Sequence, residues 1–277
     1  MSRTMIQAAV TMNQLQNKLD LIGHNMANSQ TAGYKARKSE FSSLLFQNIN
    51  NLNAQENEEN RLSPAGVRIG TGARLGATNN DFSIGSLNQT DRTLDVALMN
   101  ENHFFQIQTV ENGVAETRYS RDGSFYLNPV NNNQAVMLTT GDGNPVLGQN
   151  GPITIPNGFD NIMINDSGQI IVERGNQREV AGEIAVVQVN RPQVLESAGQ
   201  NMFRLPDLNA FNINFGDVIQ PLGAQNNLVQ SGMLEQSNVD IAEQMSDLLM
   251  AQRAYQFNAS TISTSDQMLG LINQLRS

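Results

Sequence analysis

The sequence predicts an α+β protein, a mostly antiparallel β body carried between long N- and C-terminal helices that form a coiled coil. Three observations lead there. Apolar residues repeat with a heptad rhythm at both ends, short apolar runs bounded by turn residues fill the middle, and no helical pattern separates those runs.

At the N-terminus Met5, Ala8, Met12, Leu15, Leu19, Ile22 and Met26 follow alternating spacings of three and four residues. That is the seam of a coiled-coil helix rather than the broad apolar face of a globular one. The pattern stops at Asn28, ahead of the turn-forming Thr31-Ala32-Gly33. The C-terminus repeats the device with Ile241, Met245, Leu248, Gln252, Tyr255, Ala259, Ile262, Asp266 and Leu269. Gln252 and Asp266 are polar breaks of the kind that fixes register at a cost in stability. Ser237 or Asn238 is the expected N-cap, with Asp240 and Glu243 suited to the first turns.

Length indicates what the helices are for. At ~1.5 Å per residue, positions 3–28 span about 40 Å and 238–276 nearly 60 Å. The second is too long for a domain of this size to cover, so it projects or pairs with its partner and with other copies of the chain. Residues 1–45 carry five basic and two acidic side chains (+3), and residues 238–277 carry two basic and four acidic (−2). Opposite signs favour the ends meeting, although exposed pairs contribute only ~0.2–1 kcal/mol each.

Between the ends, Phe104–Ile107, Tyr119–Leu127, Ala135–Leu138, Ile153–Ile155, Ile162–Ile164, Ile170–Val172 and Ile184–Val189 read as strands. Asp122-Gly123, Asp142-Gly143 and Ser167-Gly168 supply turn chemistry. Without intervening helices a doubly wound parallel sheet is excluded and antiparallel pairing is expected. The polar stretch 47–65 and the Asn-, Gly- and Pro-containing stretch 206–232 read as connections. The organisation is then an N-terminal helix segment (1–45), a β-rich body with linkers (46–235) and a C-terminal helix segment (236–277).

Composition excludes several functions. There is no cysteine, hence no disulfide framework and no thiolate metal site. A net charge of −9 argues against nucleic-acid binding, which needs a basic surface. The one basic cluster, Lys35-Ala36-Arg37-Lys38, suits a solvated face or an acidic neighbour. No segment approaches the ~20 apolar residues of a membrane span, so no membrane insertion is expected. The N-terminus lacks the apolar core and cleavage site of a signal peptide.

No catalytic, cofactor or metal constellation can be assembled. His24 falls within the first helix and His103 before a strand, neither in a nucleophile or metal motif. The glycines at 70, 72 and 76 are one residue too widely spaced for a dinucleotide fingerprint. Asp142-Gly143-Asn144 is followed by Pro145 and lacks the bidentate Glu of a calcium loop. The chain is therefore expected to be neither an enzyme nor a cofactor protein.

Local motifs go further. LDLIGHNMANSQTAGYKARKSEF (Leu19–Phe41) and SNVDIAEQMSDLLMAQRAYQFNASTISTSDQMLGLINQL (Ser237–Leu275) resemble the terminal signatures of the flagellar basal-body rod and hook protein family. GSLNQTDRTLDVALMNENHFFQIQ (Gly85–Gln108) and TRYSRDGSFYLN (Thr117–Asn128) are similar to its body motif. The resemblance assigns motif positions to Asn25, Ala27, Asn28, Thr31, Gly33, Tyr34 and Lys35, and to Ser237, Asn238, Val239, Gln252, Arg253 and Tyr255. Departures are Gly23-His24-Asn25 for the usual pair of asparagines, Asn102-His103 for the usual Gly-Phe, and an Asn-rich 130–150 segment.

In length the chain resembles the family's distal-rod members and their Gram-positive paralogues. Hook proteins, usually longer, are the alternative; a secreted β-rich binding protein is a weaker one. The resemblance implies a structural subunit of the basal body, exported by the flagellar type III apparatus and forming a helical homo-oligomer with other rod and hook proteins. The residues expected to carry self-assembly are Met12, Leu15, Leu19, Ile22, Met26, Ile241, Met245, Leu248, Tyr255, Ile262 and Leu269.

Overall fold

The computed structural model describes residues 3–43, 46–49, 67–70, 73–111, 113–130, 132–207, 214–223 and 228–276. Its fold is α+β with antiparallel strand pairing throughout the described ladders and a long helix at each end. The chain forms two compact units.

The first unit holds residues 1–26, 37–79 and 241–277. Its helices are α1 (Arg3–Ala27) and α2 (Ile241–Arg276). Strand β1 (Arg37–Ser43) pairs with β4 (Ala73–Asn80), and β2 (Phe46–Ile49) pairs with β3 (Val67–Gly70). Of the stretch 47–65, residues 47–49 belong to β2, and the remainder lies outside the described residues.

Leu15, Ile22 and Ala251 form the buried centre between the helices, flanked by Leu19, Met26, Leu248, Ala254 and Tyr255. Asn25 meets Gln244 and Lys18 meets Asp247, so the helices run antiparallel. Helix α2 starts at Ile241, directly after Asp240, a few residues later than the expected cap at Ser237 or Asn238. Those two side chains are engaged elsewhere: Ser237 Oγ accepts from Val239 N, and Asn238 binds backbone far away in sequence.

The second unit holds residues 27–36 and 80–240. Its strands in chain order begin with β5 (Leu87–Gln89), β6 (Val96–Leu98), β7 (His103–Glu111) and β8 (Val114–Ser120). Next come β9 (Phe125–Val130), β10 (Ala135–Thr140), β11 (Leu147–Gly148), β12 (Gly151–Pro152) and β13 (Thr154–Pro156). They are followed by β14 (Asn161–Ile164), β15 (Gln169–Arg174), β16 (Gln177–Glu183) and β17 (Val186–Val189). The last are β18 (Glu196–Ser197), β19 (Met202–Arg204), β20 (Ile219–Leu222), β21 (Val229–Ser231) and β22 (Met233–Glu235).

A six-stranded sheet, β18-β19-β8-β7-β17-β20, organises this unit. Neighbouring residues on a strand face opposite sides, so Phe104 and Phe105 divide between two cores. Phe104 packs edge-on with Phe82 and Phe203, joined by Tyr119, Val187 and Val218. Phe105 packs edge-on with Phe125, joined by Val186, Leu138, Ile155, Ile164, Ile170 and Val172. The sheets β9-β10-β13 and β14-β15-β16 contribute to this second core. Burial on both faces explains why β7 carries two successive buried aromatics, Phe104 and Phe105, in place of strict alternation.

The expected strand Tyr119–Leu127 is two strands, β8 and β9, separated at Asp122-Gly123. The 206–232 connection is not wholly loop: it contains a single helical turn at Phe215–Val218 and strands β20 and β21.

Candidate functional site

Every N-terminal seam residue faces the packed side of α1: Leu15 and Ile22 are buried, and Met12, Leu19 and Met26 half-buried. On α2 the covered row is Gln244, Leu248, Ala251, Tyr255, Asn258, Ile262 and Ser265, again at spacings of four and three. It shares Leu248, Tyr255 and Ile262 with the sequence-derived row. Ile241, Met245, Gln252 and Leu269 are exposed within the chain. The covered row is therefore only partly apolar, with Gln244, Asn258 and Ser265 set among Leu248, Tyr255 and Ile262.

A second apolar surface is left on α2. Leu249, Met250, Phe257, Met268, Leu271, Ile272 and Leu275 are exposed, Phe257 to 76%. At ~100° per residue, Met250, Phe257, Met268 and Leu275 fall on one row, roughly 110–150° round the axis from Ala251 and Tyr255. A helix apolar on two sides in water is a surface awaiting a partner.

The motif residues at the end of α1 are structural pins. Asn25 is buried; its Nδ2 donates to Arg37 O and Gln244 Oε1, and its Oδ1 accepts from Arg37 N at 3.0 Å. Ala27 is exposed at the last helical position. Asn28 O accepts from Thr31 N, and Thr31 O from Tyr34 N, turning the chain. Gly33, at φ +65°, donates its N–H to Glu235 O at 2.7 Å. Tyr34 is buried.

Lys35 leads to the most unusual feature of the second unit. It belongs to no solvated face; its acidic neighbour is Glu235. Lys35 Nζ donates to Glu235 Oε1 at 2.5 Å and to Ser83 O, while Arg121 Nε donates to Glu235 Oε2 at 2.8 Å. All three side chains are fully buried. Arg121 Nη1 also donates to Asn100 O, Glu101 O and His103 O, and its guanidinium lies over the Phe104 ring. Gly85 N donates to Glu235 Oε1.

Just beyond, Asn238 Oδ1 accepts from Ala36 N and its Nδ2 donates to Asp81 O. Val239 is half-buried, and Gln252 and Arg253 are exposed on α2. Sequence patterns did not single out Arg121 or Glu235. The available signal was a single charge closing an otherwise apolar strand, Met233-Leu234-Glu235, and an arginine directly before a turn.

Two cations sharing one carboxylate leave a surplus positive charge in the interior. Burial, reinforced by Arg121, lowers the Lys35 pKa from 10.5 to about 8, against the opposing pull of Glu235. The folded protein thus releases this proton near pH 8, whereas the unfolded chain holds it to 10.5. Between those values the unfolded state binds more protons, so stability from this group rises with pH. Burial also raises the Tyr119 pKa to about 12, which makes stability fall as pH climbs from 10 toward 12. Denaturant titrations from pH 7 to 11 are expected to show wild type gaining on Lys35→Met between pH 8 and 10. Parallel curves would assign Lys35 an ordinary pKa.

His103 is lowered by burial and by Arg121, and His24 by burial and then Arg37. Both shifts favour the neutral imidazole in the fold at pH 7. Among the described residues no group of three or more His, Asp or Glu is placed to hold a metal ion. No described helix is long and apolar enough to cross a membrane.

Antiparallel terminal helices, a signature turn pinned by Asn25 and Gly33, and an antiparallel β body make the frame of an axial structural protein. Comparison with known proteins agrees. Residues 230–275 match the family model described as flagellar basal body rod FlgEFG protein C-terminal. Residues 98–172 match that of the flagellar hook protein FlgE/F/G D1 domain. The chain belongs to the flagellar basal-body rod and hook protein family, whose members are structural subunits of the flagellar basal body.

Among its relatives is the flagellar hook-basal body complex protein FlhP of Bacillus subtilis, 41% identical with 100% of each chain covered. The flagellar basal-body rod protein FlgG of Buchnera aphidicola subsp. Acyrthosiphon pisum is 33% identical over 94% of each. FlgG of Bacillus subtilis is 31% identical over 97% of each.

Proposed function

We propose that the chain is a distal-rod or rod–hook-junction subunit that assembles through its terminal segments, 1–45 and 236–277, into an open helical tube. The tube transmits torque and encloses the export channel, with the body, 46–235, as its outer part. The observation that carries this reading is the second apolar row of α2, left exposed after α1 has covered the first. Helices α1 and α2 form a coiled coil through the 4-3 row. The outward row, with Ile241, Met245 and Leu269 beside it, packs against neighbouring copies and other rod and hook proteins.

A contact of one surface with a different one, repeated with a rotation that does not close, produces an open tube. The chain reaches its place through the flagellar type III export apparatus, and with no disulfide nothing covalent blocks threading of an unfolded chain. It catalyses no reaction and takes no cofactor.

Electron microscopy of basal bodies from a strain lacking this gene, beside a complemented control, tests the placement. A truncated rod without a hook is expected; complete hook-bearing basal bodies with normal motility would refute it. Phe257→Glu is expected to change monomer stability by less than ~0.5 kcal/mol, as exposed substitutions do. It should nevertheless fail to restore rods in the same strain, and wild-type rod length in that variant would remove the outward row from the interface.

A further inference from the structure

The charge cluster has an order built into it. Lys35 and Arg121 precede Glu235 by 200 and 114 residues. Residues 228–240 run through the second unit as a strap. Strand β21 pairs with β6, and β22 pairs with β5. Glu235 O receives Gly33 N, its carboxylate receives Lys35, Arg121 and Gly85, and Asn238 receives Ala36. The strap also lies too close to Gly85 for any side chain there, since an added Cβ would sit 2.0 Å from Gln236 O. It thus carries the carboxylate that both buried cations bond, and it closes on parts of the chain made long before it.

We propose that this strap is a folding gate: the β body cannot close around Lys35 and Arg121 until Glu235 arrives, so a chain delivered N-terminus first stays open until its C-terminal strap is present. The physical reason is charge. Burying the pair of cations without their carboxylate strands two charges in a low-dielectric interior, whereas removing one cation leaves a neutral pair. The gate follows from residue order alone and holds whichever machinery delivers the chain, so it stands or falls independently of the rod placement.

Pulse-labelled hydrogen exchange during refolding of the full-length chain tests it. Amides of β7, β8 and β17 are expected to gain protection with the same time constant as those of β21 and β22. Protection of β7, β8 and β17 before β21 and β22 would overturn the proposal. Equilibrium exchange separates charge from mere packing. Glu235→Ala should speed exchange in β7, β8 and β17 by more than ~100-fold, and Glu235→Gln, which keeps the volume and an acceptor but not the charge, should lose most of that protection as well. Loss confined to residues 33–36 and 228–240 in Glu235→Ala, or a Glu235→Gln variant as protected as wild type, would sink the gate.

Discussion

Arg121→Met is expected to destabilise the protein by about 4 kcal/mol or more, although methionine nearly fills the same volume and the loss relieves a like-charge contact with Lys35. The reason is the acceptors left behind. Arg121 Nη1 serves the carbonyls of Asn100, Glu101 and His103, and Nε serves Glu235 Oε2. A buried acceptor stripped of its partner costs ~1–3 kcal/mol, and His103 O and Glu235 Oε2 both lose a buried donor, whereas Asn100 O keeps the His103 N–H. The guanidinium also covers the Phe104 ring, 5.7 Å from its centroid, at the edge of the aromatic trio.

Arg121→Lys should recover little, because one ammonium cannot reproduce a planar fork reaching a carboxylate along one edge and carbonyls along the other. Lys35→Met is the control: it leaves Arg121 and Glu235 as a neutral pair, and Ser83 O keeps Asn238 Nδ2 as a donor, so it should cost far less. Urea denaturation at pH 7 decides between them. Equal costs for Arg121→Met and Lys35→Met would mean that net charge, not the stranded carbonyls, governs the site.

The contrast between these residues shows what was legible in the sequence. The helix ends were readable because few arrangements besides a helix seam produce a 4-3 apolar spacing over several turns. Strands with β-branched or aromatic runs between turn residues were readable in the same way. Arg37–Ser43, Ala73–Asn80 and Gln177–Glu183 are strands too, yet they carry charged, amide and small residues that give no period-2 signal. Their pairing is decided by partners far along the chain, where propensity is a weak guide.

The covered row of α2 was only half visible. Leu248, Tyr255 and Ile262 are apolar, but Gln244, Asn258 and Ser265 between them are not. Ile241, Met245 and Leu269 supplied a more apolar and equally periodic row beside it. A helix with two apolar faces offers two seams, and spacing alone does not say which one its own chain takes. The charge cluster was invisible for a simpler reason: its members lie 200 and 114 residues apart, and no local rule links them.

Gly33→Ala is the second large effect, and it follows from two independent constraints at one atom. Gly33 has φ +65°, a left-handed conformation that costs an L-residue roughly 1–2 kcal/mol. An added Cβ would then stand 2.6 Å from Asp122 N and 2.7 Å from Arg121 C. Both are backbone atoms of the turn that aims Arg121 at Glu235, and neither can swing aside as a side chain would. Relief requires moving the 31–34 turn away from residues 121–122. That motion breaks the Gly33 N–H bond to Glu235 O and draws Lys35 from its carboxylate two residues on.

The expected total is about 3–5 kcal/mol, in the range reserved for lesions with several mechanisms acting together. Gly113→Ala separates the contributions: it shares a positive φ but has open space around it, so it should lose only the conformational part. If the two variants unfold at the same urea concentration, the close approach to residues 121–122 carries no weight. A Gly33→Ala midpoint well below that of Gly113→Ala would make the signature turn the part that holds both cations in register with the strap.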